Sequence, residues 1–350
     1  MHVVLADPPA FTPPYDHELA TALAHAGATV DLVTGPFRFG TRPAPDGYRL
    51  QEIFYPRSSG IDRRRLRLAV RALEHPRGMR HLVGTKADVL HLQWLAAPEL
   101  DRVLLRTETP LVFTAHDLLP RRTARRTRTW RSLFARFDRV VVHSERGRAT
   151  LAEFGVAPER LVLIPHPVFR SDPPRRDDGR TVLSLGVIRP YKGLADAVDA
   201  VLALADARLL VAGDPRIPLD VVRRRAADRA EWRLGYLDRL EIEQALSEAT
   251  VAVFPYRAEL DQSGALLQAL GAGVPAVVYD VGGLGEVVDR FAAGRVVPPG
   301  DVGALAAALR ELLDDAGALA AARAGAERAR ATLTWDASAR EHLALYREVV

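Results

Sequence analysis

Residues 251–288, VAVFPYRAELDQSGALLQALGAGVPAVVYDVGGLGEVV, hold two buried-strand patterns, a polar loop and two small-residue turns in one short unit. The apolar run Val251–Phe254 stops at Pro255, and the polar loop closes on Gln262, Ser263 and Gly264. A helix pattern of small residues reaches Gly273, and a second apolar strand (275–279) runs into the turn Gly282-Gly283. In open α/β sheets, ligands sit where strands end and helices begin. Helix N-termini there offer unpaired N–H groups and a positive dipole to anions. The segment therefore reads as a site for a diphosphate.

Outward from it, the chain continues as strands alternating with helices. Apolar β runs are expected at 2–6, 29–34, 87–92, 110–115, 138–142 and 161–164, with helices such as 16–26, 98–107 and 144–154 between them. Residues 166–180, HPVFRSDPPRRDDGR, lack periodicity and read as a linker. A second series follows, with strands near 181–186, 208–212, 251–254, 275–279 and 295–297 and helices near 193–205, 238–248, 262–272 and 301–332. Two such series imply two doubly wound domains. The chain has 350 residues, 48% of them hydrophobic, which suits two real cores.

Composition removes several classes of function. There is no cysteine, which excludes disulfides, thiolate metal sites and cysteine nucleophiles, and fits a reducing compartment. The start, MHVVLADPPAFTPPYD, has no basic segment followed by an apolar core, so it does not read as a signal peptide. No run of roughly 18 apolar residues suggests a membrane span, so the expected location is the cytoplasm. Net charge is +4, and all but Lys86 and Lys192 of the 48 basic residues are Arg. Two arginine clusters stand out: Arg63, Arg64, Arg65, Arg67, Arg71, Arg77 and Arg80, then Arg121, Arg122, Arg125, Arg126, Arg128 and Arg131. The first reads as an amphipathic helix with Leu66, Val70 and Leu73 on one stripe. It fits either a solvated face or a surface for anionic lipid headgroups or a phosphorylated acceptor, with membrane association as the corollary. No nucleic-acid motif accompanies the arginines, so no nucleic-acid partner is expected. No Gly-x-Gly-x-x-Gly follows a strand, which argues against a dinucleotide oxidoreductase.

Several pieces in order carry a family resemblance: LGVIRPYKG at 185–193, LVAG at 210–213, Gly235-Tyr236 and the 251–288 block, with FTAHD at 113–117 and IPH at 164–166 in the first half. Together they resemble the retaining, nucleotide-sugar-dependent glycosyltransferases of family 4. That resemblance implies the GT-B fold, two Rossmann-like domains facing a central cleft. The acceptor-side domain would be 1–170, the donor domain 171–334, and the helix 335–350 would cross back to the first domain. It also implies transfer of a hexose from a UDP- or GDP-sugar to a glycan, lipid-linked or small-molecule acceptor, with no cofactor.

Cleaving a sugar–diphosphate bond leaves phosphates whose charge grows in the transition state and must be stabilised. No Asp-x-Asp motif or metal-spaced His cluster occurs, so fixed cations and helix N–H groups take that role. Arg189 and Lys192 form the natural pair. Gly186, Gly235, Tyr236, Gln262, Ser263 and Gly264 are placed on the donor side by the resemblance. The family's two Glu residues are altered here: Gln268 occupies the ribose position, and Asp261 or Glu259 the position facing the sugar. His116, at a strand end, is expected near donor sugar and acceptor, with Asp117 beside it. Tyr15, Gln93 and Trp94 are candidate acceptor contacts, as is Thr12. His143 and His166 read as packing or turn residues. The Pro-rich loop 7–16 departs from the family's Gly-rich loop and cannot cradle phosphate through successive amides. A sugar-nucleotide epimerase, a phosphorylase and a catalytically silent binding protein on the same fold are the alternatives. The phosphorylase is disfavoured because only Lys192 could hold pyridoxal phosphate in the second half.

Overall fold

The computed structural model describes residues 1–119, 123–257 and 261–350. Arg121, Arg122 and Glu259, named above, lie outside the described residues. The chain divides into two compact units, Met1–Pro165 with Trp335–Val350, and His166–Thr334.

Unit one opens with β1 (His2–Asp7), α1 (Pro13–His25), β2 (Thr29–Thr34), β3 (Arg49–Glu52), α2 (Arg64–Gly84) and β4 (Val89–Leu92). It continues through α3 (Pro98–Leu104), β5 (Leu111–Thr114), α4 (Thr127–Phe134), β6 (Arg139–Val142), α5 (Glu145–Phe154) and β7 (Leu161–Leu163). The strands form one parallel sheet in the order β3-β2-β1-β4-β5-β6-β7. Strands β1, β4, β5 and β6 are near-continuous apolar runs, as a sheet covered on both faces requires.

Unit two begins with β8 (Thr181–Leu185), α6 (Leu194–Leu202), β9 (Arg208–Gly213), α7 (Asp220–Ala226), β10 (Ala230–Leu234), α8 (Arg239–Glu248) and β11 (Val251–Phe254). Then come α9 (Gly264–Gly271), β12 (Ala276–Tyr279), α10 (Gly283–Phe291), β13 (Gly294–Val297), α11 (Val302–Asp314) and α12 (Ala316–Thr332). Its sheet is also parallel, ordered β10-β9-β8-β11-β12-β13. The last helix, α13 (Trp335–Val349), packs on α1 in unit one, where Tyr346 donates or accepts a 2.6 Å bond with His91 Nδ1. Both sheets are doubly wound.

The structure differs from the sequence reading in a few elements. Strands β3 (RLQE) and β10 (AEWRL) carry no apolar run because each is a sheet edge, half open to water. Helices α4, α7 and α10 were not expected. The helix expected over 301–332 is two helices, broken at Asp315, whose extended backbone lets its carboxylate cap the amides of Gly317 and Ala318. Residues 166–180 are irregular but do not hang free. The Val168 N–H donates to Leu333, Ser171 to Gly271 and Arg176 to Ser247, so the segment is a strap on unit two. The division accordingly falls at 165/166, five residues before the expected 170. Among the described residues, no helix is long and apolar enough to cross a membrane.

Candidate active site

In a doubly wound sheet the strand order reverses at one point, and the crevice beyond the strands' carboxyl ends there is the usual ligand site. In unit two that point lies between β8 and β11. It is flanked by residues 186–193, after β8, and by 255–257 and 261–263, after β11, which hold Gly186, Arg189, Lys192, Asp261, Gln262 and Ser263.

The β8 loop delivers the cations. Lys192 is half-buried, with Nζ 4.8 Å from the centre of the Tyr256 ring. The ammonium also lies against Gly186, so that a Cβ at 186 would come 3.4 Å from Nζ and 3.2 Å from Ala265 on the first turn of α9. Gly186 thus leaves room for the cation beside that helix N-terminus. Neither Lys192 nor the exposed Arg189 has a carboxylate partner among the described residues. Such positive charge next to a helix N-terminus is built for an anion.

A second arginine holds this loop in place. Arg257 forms a bidentate pair with buried Asp196 of α6 at 2.8 and 2.6 Å, and its amide donates to the Tyr191 carbonyl at 2.7 Å. Tyr279 donates to the same carboxylate at 3.1 Å, and burial with that neighbouring charge keeps its hydroxyl protonated well beyond the usual range. The loops after β8 and β11 are therefore tied to each other and to α6. Sequence reasoning missed Asp196, Tyr256 and Arg257. The available signal was an Asp in the first turn of a largely apolar helix, two residues into α6, whose second Asp, Asp199, pairs with Arg225 on α7.

Ser263 is the N-cap of α9, accepting from the Leu266 amide at 3.4 Å, and its hydroxyl lies 3.1 Å from that of Tyr256. Its hydroxyl thus caps the helix. Gln262 spends both ends of its amide locally. Nε2 donates to the Gly283 carbonyl at 3.0 Å, and Oε1 accepts from the Ser263 amide at 3.1 Å. The Asp261 carbonyl accepts from the Gly283 amide at 3.1 Å, and Asp261 is fully buried. Gln262 and Asp261 thus join the starts of α9 and α10. Gly264 is exposed, and Gln268 follows it by one helical turn on the same face, half-buried. Its amide makes no hydrogen bond among the described residues. Gly235 donates its amide to Gly213 at 3.1 Å, and Tyr236 stands 47% exposed beyond β10, at the outer edge of the sheet.

In unit one the strand order reverses between β1 and β4. The residues expected on the acceptor side gather at those strand ends. His116 Nε2 donates to the Gln93 Oε1 at 2.9 Å, and its ring stacks on half-buried Trp94 with centroids 5.3 Å apart. Trp94 donates to the Thr12 hydroxyl at 2.8 Å and meets the exposed Phe11 edge-on at 5.3 Å. Gln93 is wholly buried and Tyr15 nearly so, with the Tyr15 ring edge-on to His116 at 4.6 Å. Both therefore support His116 and offer no surface of their own. Beneath them burial keeps His91 well below the usual histidine range and therefore neutral, between Tyr346 and Thr114. His143 is likewise lowered to about 4 by burial and bonds the Ile164 carbonyl. His166 packs edge-on against Phe169 in unit two.

The Pro-rich loop is pinned by two buried carboxyls. Asp7 Oδ2 accepts from the Thr12 amide at 3.1 Å, and Asp16 lies beside Asp7. Burial, and then the Asp7 charge, push the Asp16 carboxyl well above the carboxylate range, since two buried neighbours cannot both ionise. The folded state thus keeps a proton that the unfolded chain releases near pH 4. This contribution to stability is full below that value and is lost as pH rises through the folded one. Asp16→Asn supplies a permanent donor to Asp7. It should melt above wild type at about pH 8, with the gap closing toward about pH 4.5. A gap independent of pH would contradict the shared proton.

Among the described residues no group of three His, Asp or Glu side chains is placed to hold a metal ion. A family model described as Glycosyltransferase Family 4 matches residues 15–170, and one described as Glycosyl transferases group 1 matches 179–315. Glycogen synthase of Mycobacterium tuberculosis is 36% identical over 162 residues, 44% of this chain and 39% of that protein. The GDP-mannose:glycolipid 4-beta-D-mannosyltransferase of Xanthomonas campestris pv. campestris is 30% identical over 226 residues, 56% of this chain and 62% of that protein. The chain thus spans less than two thirds of either relative. Sucrose-phosphate synthase from Thermosynechococcus elongatus superimposes with a TM-score of 0.78 at 23% identity, covering 99% of this chain and 98% of that one. Anabaena HepE in complex with UDP and glucose gives 0.70 at 14% identity, covering 99% and 100%. These likenesses show the GT-B fold.

Proposed function

The chain belongs to the family-4 type of glycosyltransferases, and from that premise we propose that it moves a hexose from a nucleoside-diphosphate sugar to an acceptor hydroxyl. The anomeric configuration is retained and no metal takes part. One observation carries this reading: the Lys192 ammonium, without a carboxylate partner among the described residues, lies against Gly186 and the first turn of α9.

In this reading Lys192 and Arg189 hold the two phosphates, with the amides of Gly264 and Ala265 at the start of α9. As the sugar–phosphate C–O bond breaks, the electron pair passes to the diphosphate, and fixed cations stabilise it without reorganising. The acceptor oxygen forms the new bond to the same carbon, and its proton passes to the departing phosphate. Gln268 holds the ribose hydroxyls through its amide. Tyr236 and Gly235 border the nucleobase. Asp261 and Gln262 keep the loop in register between the two helix starts. In unit one His116, oriented by Gln93 and backed by Trp94, positions the acceptor, which is a glycan, a lipid-linked sugar or a small molecule. UDP-glucose bound by HepE and GDP-mannose named for the Xanthomonas enzyme support UDP- and GDP-sugars as the donors to try.

The test is a thermal-shift titration with UDP, GDP and ADP. Saturation at about 100 times the dissociation constant adds about 2.7 kcal/mol to stability, so one of them should raise the melting temperature visibly. No response to any of the three would remove the donor site and leave a silent scaffold. Gln268→Ala should raise the donor KM about fivefold, about 1 kcal/mol, with kcat little changed, as expected for a lost neutral hydrogen bond. Steady-state kinetics with varied donor measure it; an unchanged KM would remove the ribose role.

A further inference from the structure

Helix α2 is anchored along one face only. Glu74, His75, Gly78, Met79 and Leu82 are its buried residues, all in the second half. Glu74 accepts from the amides of Arg57 and Ser58 at 2.8 and 3.2 Å. His75 is held between the Tyr55 hydroxyl at 2.7 Å and Asp101 at 2.6 Å. The first half projects beyond this footing.

The apolar stripe is on the wrong side for a core. At helical spacing, Leu66, Val70 and Leu73 share a face with Arg77 and Arg80, opposite the anchored residues. On this face Leu66 is 51% and Leu73 72% exposed, and Val70 is half-buried. A helix on a globular surface buries its apolar stripe and shows water its charges; this one shows both. The charges are of one sign. Arg63, Arg64, Arg65, Arg77 and Arg80 have no carboxylate partner among the described residues. Arg67 bonds the Ile61 carbonyl, and Arg71 lies 3.9 Å over the Tyr55 ring. The one acidic residue of the helix, Glu74, is buried and used by backbone amides.

We infer that the outward face of α2 docks on an anionic lipid bilayer. Leu66, Val70 and Leu73 enter the boundary between headgroups and acyl chains, and the flanking guanidiniums meet lipid phosphates. Long arginine side chains suit this, laying their stems along the apolar surface while the charge stays among headgroups. The inference stands on this helix alone and does not depend on the transfer reaction.

Full-length protein is sedimented with vesicles of phosphatidylcholine, and with vesicles of phosphatidylcholine and phosphatidylglycerol. Binding should favour the anionic vesicles by about tenfold or more. Leu66→Ser with Leu73→Ser, and separately Arg77→Glu with Arg80→Glu, should each abolish that binding without lowering the melting temperature, because all four side chains are exposed. Wild-type protein left in solution with anionic vesicles overturns the inference. So does a leucine variant that binds as wild type does, since plain charge attraction would then suffice. Analytical ultracentrifugation supplies the remaining arm: a dimer that the leucine variant dissociates would make the face a contact between two copies of this chain and overturn membrane docking.

Discussion

Lys192→Ala should lower kcat/KM for donor-dependent transfer by 10²–10³-fold, about 3–4 kcal/mol of transition-state stabilisation, the range seen when a fixed donor to a developing oxyanion is removed. The side chain forms no ion pair in the described structure, so its loss should leave the melting temperature of the free protein nearly unchanged. The nucleoside-diphosphate thermal shift should weaken in the same variant. Arg189→Ala should cost less. Its charge is exposed and screened by water, whereas Lys192 is half-buried, where the same Coulomb interaction is stronger. Transfer rates and melting curves for both variants check this. A Lys192→Ala enzyme with undiminished turnover would dismiss the diphosphate role.

The second large effect is on stability. Gly193 adopts φ 68°, and a Cβ there would collide with the Pro255 carbonyl oxygen. Gly193→Ala therefore combines an unfavourable left-handed backbone, about 1–2 kcal/mol, with an overpacking cost of about 1–3 kcal/mol. Unfolding in denaturant should show a loss of about 3 kcal/mol. Because the collision lies between the β8 and β11 loops, the remaining folded protein should also bind nucleoside diphosphate more weakly. Wild-type stability in Gly193→Ala would mean that the two loops are not packed as described.

The covered strands were legible because burial on both faces writes them as apolar runs; β8, β11 and β12 need little more than Val, Leu and Ala. The edge strands β3 and β10 were not, since one side meets water and charged residues interrupt the run. Lys192, Ser263, Gly264 and Gln268 could be placed near one strand-end crevice from motif order alone. What could not be read was which polar side chains are consumed internally. Gln262 looks like a ligand contact in the sequence, and only the Gly283 carbonyl, 21 residues later, explains its amide. Asp196 shows the same limit, its partners Arg257 and Tyr279 being 61 and 83 residues away. Leu66 and Leu73 are the reverse case. Their spacing announced an amphipathic helix correctly, but periodicity cannot say whether the apolar stripe faces inward.

The return of α13 to unit one has a consequence for synthesis. A ribosome makes residues 1–165 first, yet the fold they begin lacks α13, including the tyrosine that bonds buried His91, until the whole of the second unit has been translated. During that interval α1 and the end of β4 expose a surface meant for a helix not yet made. The nascent first unit is then open to capture by chaperones or by another chain's α13. Residues 335–350 complete the first domain, so truncation at Thr334 should harm unit one more than the unit it follows.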